Sequence, residues 1–377
     1  MKKRVRIVSI GIVLIILIRI IVMSANSNNK YSFTQDGIKY ALTLDGNKVT
    51  SFPSKGMYKV QVTCEGADGR WLYNDWKLAI ENITGDISCD IDFSTINKTN
   101  LNDFIISLSG TTQGTGKVVN EKGYRYEGKN PNNYIWFNNE YWRMIGVFDS
   151  ASHGVSGQNL VKIIRADVLD GLAWDKSNTN DWTAASLKSL LNGAYYNATD
   201  GTSSGYCYGY STIATGNCDY TKKGIQSGYR GMIANVTWYL GGYSTSDGTT
   251  ESFYEYERGT TVYSGRPTRT TVYIGLMYPS DYGYSVLSSS CARTTNLSSY
   301  STATCAGQSW LYGKGHEWTL TPNSSNSTNV FWGNYSGKLS YGGATTGTNF
   351  RPVLYLDASV YKIDGDGSLE NPYIIGM

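Results

Sequence analysis

A basic stub followed by an apolar run opens the chain, and it sets the compartment in which everything after it folds. In "MKKRVRIVSIGIVLIILIRIIVM" the stretch from Ile7 to Met23 carries one charge, Arg19. A helix of that length reaches the lower limit for crossing a bilayer. An arginine near its outer end can extend to the headgroups. The positive stub favours the cytoplasmic side, which puts the rest of the chain outside the cell. No A-x-A site follows, and Val22-Met23-Ser24 matches a cleavage site poorly. Residues 1–24 therefore read as an N-terminal transmembrane anchor, inserted through 7–23, with a cleaved signal as the alternative. The formal charge of +3 is misleading: residues 1–24 hold five basic residues and no acid, and +3 less that +5 leaves −2 on the remainder. A nearly neutral remainder lacks the clustered basic face that nucleic-acid binding requires.

Export changes the meaning of the six cysteines. They fall into three couples close in sequence: Cys64 and Cys89, Cys207 and Cys218, Cys291 and Cys305. Outside the cell this pattern reads as disulfides, although sequence proximity is a preference among pairings. Zinc is the rival, but no Cys-x-x-Cys occurs and the histidines are His153 and His316 alone.

After a linker at 25–30, residues 31–94 alternate apolar and polar residues in "KYALTL", "YKVQVTC", "WKLAIENI" and "SCDIDF". Period two means strands, and Asp45-Gly46 marks a hairpin turn. A small all-β module is expected, with Trp71, Trp76 and Phe93 in its core and Cys64–Cys89 tying distant strands. Residues 95–118 read as a linker with one short helix ending at Gly110. A large α+β domain is expected over 119–361, followed by a tail at 362–377. "YIWFNNEYWRMIGVF" (134–148) reads as a hairpin about Asn138-Asn139, and "NLVKIIRADVL" (159–169) as a strand. Two helices are expected. One spans 182–193, capped by Thr183, with Leu187, Leu190 and Leu191 on one face and Gly193 at its end. The other spans 224–242, with Ile225, Tyr229, Met232, Ile233, Val236 and Leu240 three and four apart. Residues 271–287 and "EWTLTP" (317–322) read as strand pieces, 200–222 and 243–268 as long loops, and "FRPVLYLDASVYKI" (350–363) as the closing strand region.

The segments "NPNNYIWFNNEYWRMIGVF", "LVKIIRADVLDGLAWD", "DWTAASLKSLLNGAYYN", "IGLMYPSDYGY", "EWTLTP" and "NFRPVLYLD" occur in this order along the chain. In them the sequence resembles a family of exported Firmicutes proteins of unknown function. That family shares a Trp-Arg strand, a Trp…Leu-Asn helix and a final Arg-Pro-x-Leu strand. The closing strip and strand also resemble the C-type-lectin-like fold, in its formylglycine-generating-enzyme branch and the variable proteins of diversity-generating retroelements. That resemblance implies an irregular antiparallel sheet. Residues 323–349 would be its exposed face, diversified in the retroelement case, and Phe350 to Leu356 the buried strand behind it.

The residues of the strip support a face independently. Tyr and Trp give large contact area with few rotatable bonds, and Ser, Gly and Asn give adaptable hydrogen bonds. The chain has 31 Tyr against 9 Phe. Phe331, Trp332, Tyr335 and Tyr341 can stack on sugars or protein anchors. Asn323, Asn326, Asn329, Asn334 and Lys338 can supply donors and acceptors, with Val330 and Leu339 pointing inward. The competing reading is a cluster of Gly/Asn turns with no ligand. Arg143 and Arg351, each within an apolar strand, are expected to pair with a carboxylate or carbonyls.

Catalysis has little support. His316 and Glu317 are adjacent, and neighbours on a strand point to opposite faces. Cys291 and Cys305 resemble the reactive pair of formylglycine-generating enzymes but lack the surrounding motif. "WDKSNTND" (174–181) and "DGDGS" (364–368) lack the full calcium-loop pattern. The expectation is a membrane-anchored extracellular recognition protein, not an enzyme, with no cofactor or metal and with a glycan or protein ligand. The alternatives are a structural envelope or pilus-associated subunit and an enzyme of the formylglycine-generating class.

Overall fold

The computed structural model describes residues 33–377 apart from Asn74 and Lys314. The expected anchor at 7–23 and the linker at 25–30 lie outside the described residues. Among the described residues no helix is long and apolar enough to cross a membrane. The protein is mixed α+β with sheet predominant, divided into one unit that ends at Lys98 and another from Thr99 to Ile375.

In the first unit, Asp36-Gly37 and Asp45-Gly46 all have positive φ, the conformation that two-residue hairpins demand. They flank the strand Ile38–Leu44, which pairs antiparallel with Phe33–Gln35 and Asn47–Val49. Its other edge pairs parallel with Ser88–Thr95, which pairs antiparallel with Tyr58–Glu65. Leu42, Ile91 and Phe93 are fully buried. Trp71 meets Phe93 and Trp76 edge to face at 5.1 and 5.2 Å. Cys64 and Cys89 are opposed residues on adjacent strands. The bridge therefore reinforces one ladder and does not tie distant strands.

The second unit holds two large sheets. Along the first run Ile274–Gly275, Val353–Tyr355, Leu160–Arg165, Glu140–Phe148, Tyr134–Phe137, Tyr373–Gly376, Tyr361–Asp364 and Thr99–Asn100. Tyr124–Gly128 and Gly116–Asn120 join through Glu140–Phe148. The Asn138-Asn139 hairpin forms as expected, both residues at φ near 60°. Leu160–Arg165 is buried along its whole length, Lys162 and Arg165 included. The second sheet runs Leu169–Ala173, Gly347–Phe350, Glu317–Pro322, Asn329–Gly333, Leu339–Gly343.

Several expectations are corrected. Residues from Thr99 onward are no linker: Thr99–Asn100 pairs with Tyr361–Asp364, and the Asn100 side chain caps the helix Leu101–Ser107. The helix thus stops short of Gly110. Residues 362–377 are no tail, because Tyr373–Gly376 pairs parallel with Tyr134–Phe137. The 224–242 helix shrinks to Ser227–Arg230, and Val236–Tyr239 is a strand paired with Arg269–Val272. Val236 and Trp238 are buried alternately, so a period-two signal was hidden in the helical one. The 182–193 helix is Ser186–Leu190 followed by a wide π turn, Leu191–Tyr195, that absorbs Gly193. Thr183 does not cap it; Asp175 Oδ1 reaches across to accept from Ser186 N at 3.1 Å. Leu187, Leu190 and Leu191 are buried as expected. Three helices arise where none was expected, the first a single turn, Ser150–His153, capped by Asp149. Thr250–Arg258 begins on a Thr249 cap, and Pro279–Ser285 begins with Pro279 and an Asp281 capping box. Finally, Phe350 to Leu356 is not one strand. The chain crosses between sheets at Arg351-Pro352, where proline has no N–H to give a ladder.

Candidate functional site

The strip between Pro322 and Phe350 is neither a wet loop nor one continuous face. Asn329–Gly333 and Leu339–Gly343 form an antiparallel hairpin beside Glu317–Pro322. Val330 and Leu339 are buried, as expected. Period two then separates the aromatic residues. Phe331 and Tyr341 are an opposed pair on one side, ring centroids 5.7 Å apart. Phe331 is fully buried against Phe253 of the Thr250–Arg258 helix, so it cannot contact a ligand. Trp332 faces the other side, at 5.0 Å from Trp318 and 5.1 Å from His316. Tyr341 and Trp332 therefore do not share a surface.

The asparagines mostly serve the chain itself. Asn323 is 2% exposed; its Oδ1 accepts from Ser325 N and its Nδ2 donates to Ser244 O. Asn326 Oδ1 accepts from Thr328 N and Asn329 N. Asn334 Oδ1 accepts from Ser336 N and Lys338 N. These are Asx turns, the competing reading for these residues. Buried Asn180, not singled out in the sequence, gathers the turn by donating to the carbonyls of Asn323, Asn326 and Asn329.

Two of the strip's aromatic side chains remain outward: Tyr341 on the Phe331 side, 41% exposed, and Tyr335 at the hairpin tip. Tyr335 is 70% exposed, with its ring 5.5 Å from His316, and Lys338 is exposed beside it. The turn that carries Tyr335 is held on three sides. Tyr282 Oη donates to Gly337 O at 2.7 Å, Thr302 N donates to Ser336 O at 3.1 Å, and Tyr312 Oη donates to Tyr335 O. The Trp332 ring lies over Gly342, where a Cβ would come within 2.2 Å of it. Behind the platform a narrow, partly open cleft passes between Tyr312, Gly313, Gly315, Glu317, Gly333 and Asn334, with room for about one water.

Glu317 lines that cleft and is held from behind by Arg351. Arg351 donates to both Glu317 oxygens at 2.6 and 2.9 Å and to Leu311 O at 2.7 Å. Glu317 is thus committed to a buried bidentate pair and is not an acid–base partner of His316. Arg143, as expected, bonds a carbonyl, that of Pro131, and also the Asn133 amide. Burial brings its pKa down to about 10, the Arg351 charge adding and Tyr134 opposing. Cys291 and Cys305 are bonded to each other, as are the other two couples, and no free cysteine exists. This is the pattern of a chain from an oxidising, extracellular compartment. Asp175 Oδ2 is occupied by Ser177 N and Thr179 N, and Asp366 Oδ1 accepts from Ser368 N. Both acidic stretches are thus turns. Among the described residues no group of three potential ligands is placed to hold a metal. No protein-family model, curated protein or solved structure matches this chain.

Proposed function

We propose that the chain is an extracellular recognition protein, held at the membrane through residues 7–23, whose large unit binds a glycan or a protein through Tyr335, Trp332 and His316. The observation that carries this is Tyr335, a largely exposed aromatic side chain on a turn tied down by Tyr282, Tyr312 and Thr302. Exposed aromatic area on a pre-organised backbone costs little ordering entropy when a ligand arrives. A C-type-lectin-like arrangement belongs to the same proposal. The antiparallel meander of Glu317–Pro322, Asn329–Gly333 and Leu339–Gly343 before the final core strand supports it.

The test is array screening of the full chain in detergent against glycans and cell-surface proteins, repeated with Tyr335→Ala and His316→Ala. An aromatic anchor of this kind contributes about 2 kcal/mol, so Tyr335→Ala should weaken binding roughly 30-fold at unchanged melting temperature. Undiminished binding by Tyr335→Ala would remove the platform from the reading. Self-association with no ligand on any array would point instead to a structural envelope subunit.

A further inference from the structure

Away from the aromatic platform, the large unit buries charges that recognition does not use. Arg125, Lys162, Glu257 and Asp281 are each at most 1% exposed. Lys162 lies in the strand Leu160–Arg165 and Asp281 in the first turn of the helix Pro279–Ser285, 119 residues away. Lys162 Nζ is 2.5 Å from Asp281 Oδ2, and Arg125 Nη1 is 2.9 Å from Asp281 Oδ1. Tyr278 N also donates to Oδ2, at 3.0 Å. The rings of Tyr278, Trp238, Tyr355 and Phe148 surround Nζ at 4.4 to 5.8 Å.

An ion pair in such a dry aromatic setting carries a large desolvation cost. Burial lowers the Lys162 pKa to about 8 although Asp281 pulls the other way. Burial pushes Asp281 up, but Lys162 and Arg125 outweigh it and hold the carboxyl at about 2. The resting state is therefore the ammonium–carboxylate salt, with the amine closer than usual to its neutral, nucleophilic form.

We propose that Lys162 and Asp281 are a modification site, joined by an intramolecular amide between Nζ and Cγ. One proton passes from the ammonium to Oδ2 across the existing hydrogen bond. The freed Nζ lone pair attacks Cγ and forms the N–C bond. Negative charge gathers on Oδ1, against the Arg125 guanidinium, whose Nη2 is buried without a hydrogen-bond partner and has spare donor capacity. A second Nζ proton moves to Oδ2, the Cγ–Oδ2 bond breaks, and one water leaves. The third proton stays on the amide nitrogen. Nothing is oxidised or reduced and no co-reactant is needed. Exclusion of bulk water favours condensation over hydrolysis. The product ties the Pro279–Ser285 helix covalently to the central sheet, and it stands independently of the recognition reading.

The full chain is reduced, alkylated and digested with trypsin. Cleavage at Arg143, Arg165, Arg269 and Arg293 releases residues 144–165 and 270–293. The amide predicts one branched species of both peptides, uncut after Lys162 and lighter than their sum by one water. Asp281→Asn should reach the same branched product by losing one ammonia instead. Lys162→Arg should yield the two peptides separately. Wild-type protein whose digest contains only free 144–162 and 270–293 at full mass would overturn the proposal, whether or not either variant folds.

Discussion

Trp332 can lie against the hairpin only because residue 342 has no side chain. A Cβ there would meet the indole at 2.2 Å, and the ring has Trp318 and His316 on its other contacts. Gly342→Ala is expected to cost about 1–3 kcal/mol, the usual penalty for overpacking, and to shift the Trp332 fluorescence. Denaturant titration with emission spectra checks both, and an unchanged midpoint would mean that the ring moves freely. Glu257 carries a pH dependence. Burial, with the Asp281 charge adding, pushes its carboxyl up to about 7 against the Arg258 charge and the donors of Ser280. Its unfolded value is about 4.3. Between these values the folded state holds a proton that the unfolded state has lost. Stability from this group is therefore present at low pH and lost as pH rises from about 4 through 7, on the order of 3 kcal/mol. Urea unfolding across that window should show the decline, and Glu257→Gln should flatten it. A flat wild-type profile would contradict the burial argument. Arg351 was legible at this scale, because an arginine inside "NFRPV" had to find a partner. That Glu317 was that partner, and so unavailable to His316, was not legible.

Elements depended on how much of their signal was local. The Asn138-Asn139 and Asp45-Gly46 hairpins formed where the sequence put them, because positive φ is a property of the turn residues themselves. The helix Pro279–Ser285 also carried local signals, Pro279 at its first position and Asp281 in its first turn, but its tyrosines and glycine resembled a strand. All seven of its residues are buried, so packing sustains a helix that propensity alone would not. The Ser186–Leu190 helix takes its cap from Asp175, eleven residues upstream, where no window-based reading looks. The Cys207–Cys218 bridge closes an 11-residue separation around a hairpin, Tyr208–Tyr210 with Ile213–Ala214, whose Tyr210 and Ile213 are 57% and 64% exposed. With so little apolar burial at its tip, this segment relies on the bridge. Replacing both cysteines by serine should cost about 2–4 kcal/mol, and thermal unfolding measures it. A change well below that range would show that the hairpin is held by its contacts to Lys176 and Thr345.

At the scale of the whole molecule the chain has two units with separate cores, one around Leu42, Ile91, Phe93 and Trp71, the other far larger. Differential scanning calorimetry should resolve two transitions, and Cys64→Ser with Cys89→Ser should lower only the smaller one. A single transition that shifts as one would show that the units unfold together. The sequence alone determined what depends on near neighbours: strand alternation, turn sites, cysteine couples close enough to bond, and inward-facing Val330 and Leu339. Tertiary structure decided which aromatic residues of the strip could meet a ligand. Phe331 is lost to Phe253, 78 residues before it, while Tyr335 is kept outward by Tyr282, Tyr312 and Thr302. Likewise the buried Asn180 amide gathers the backbone carbonyls of Asn323 and Asn326, and the tail and linker are drawn into the main sheet. The reason is physical. Alternation fixes that neighbouring residues face opposite ways, but which of the two faces is buried depends on partners that only the folded chain brings together.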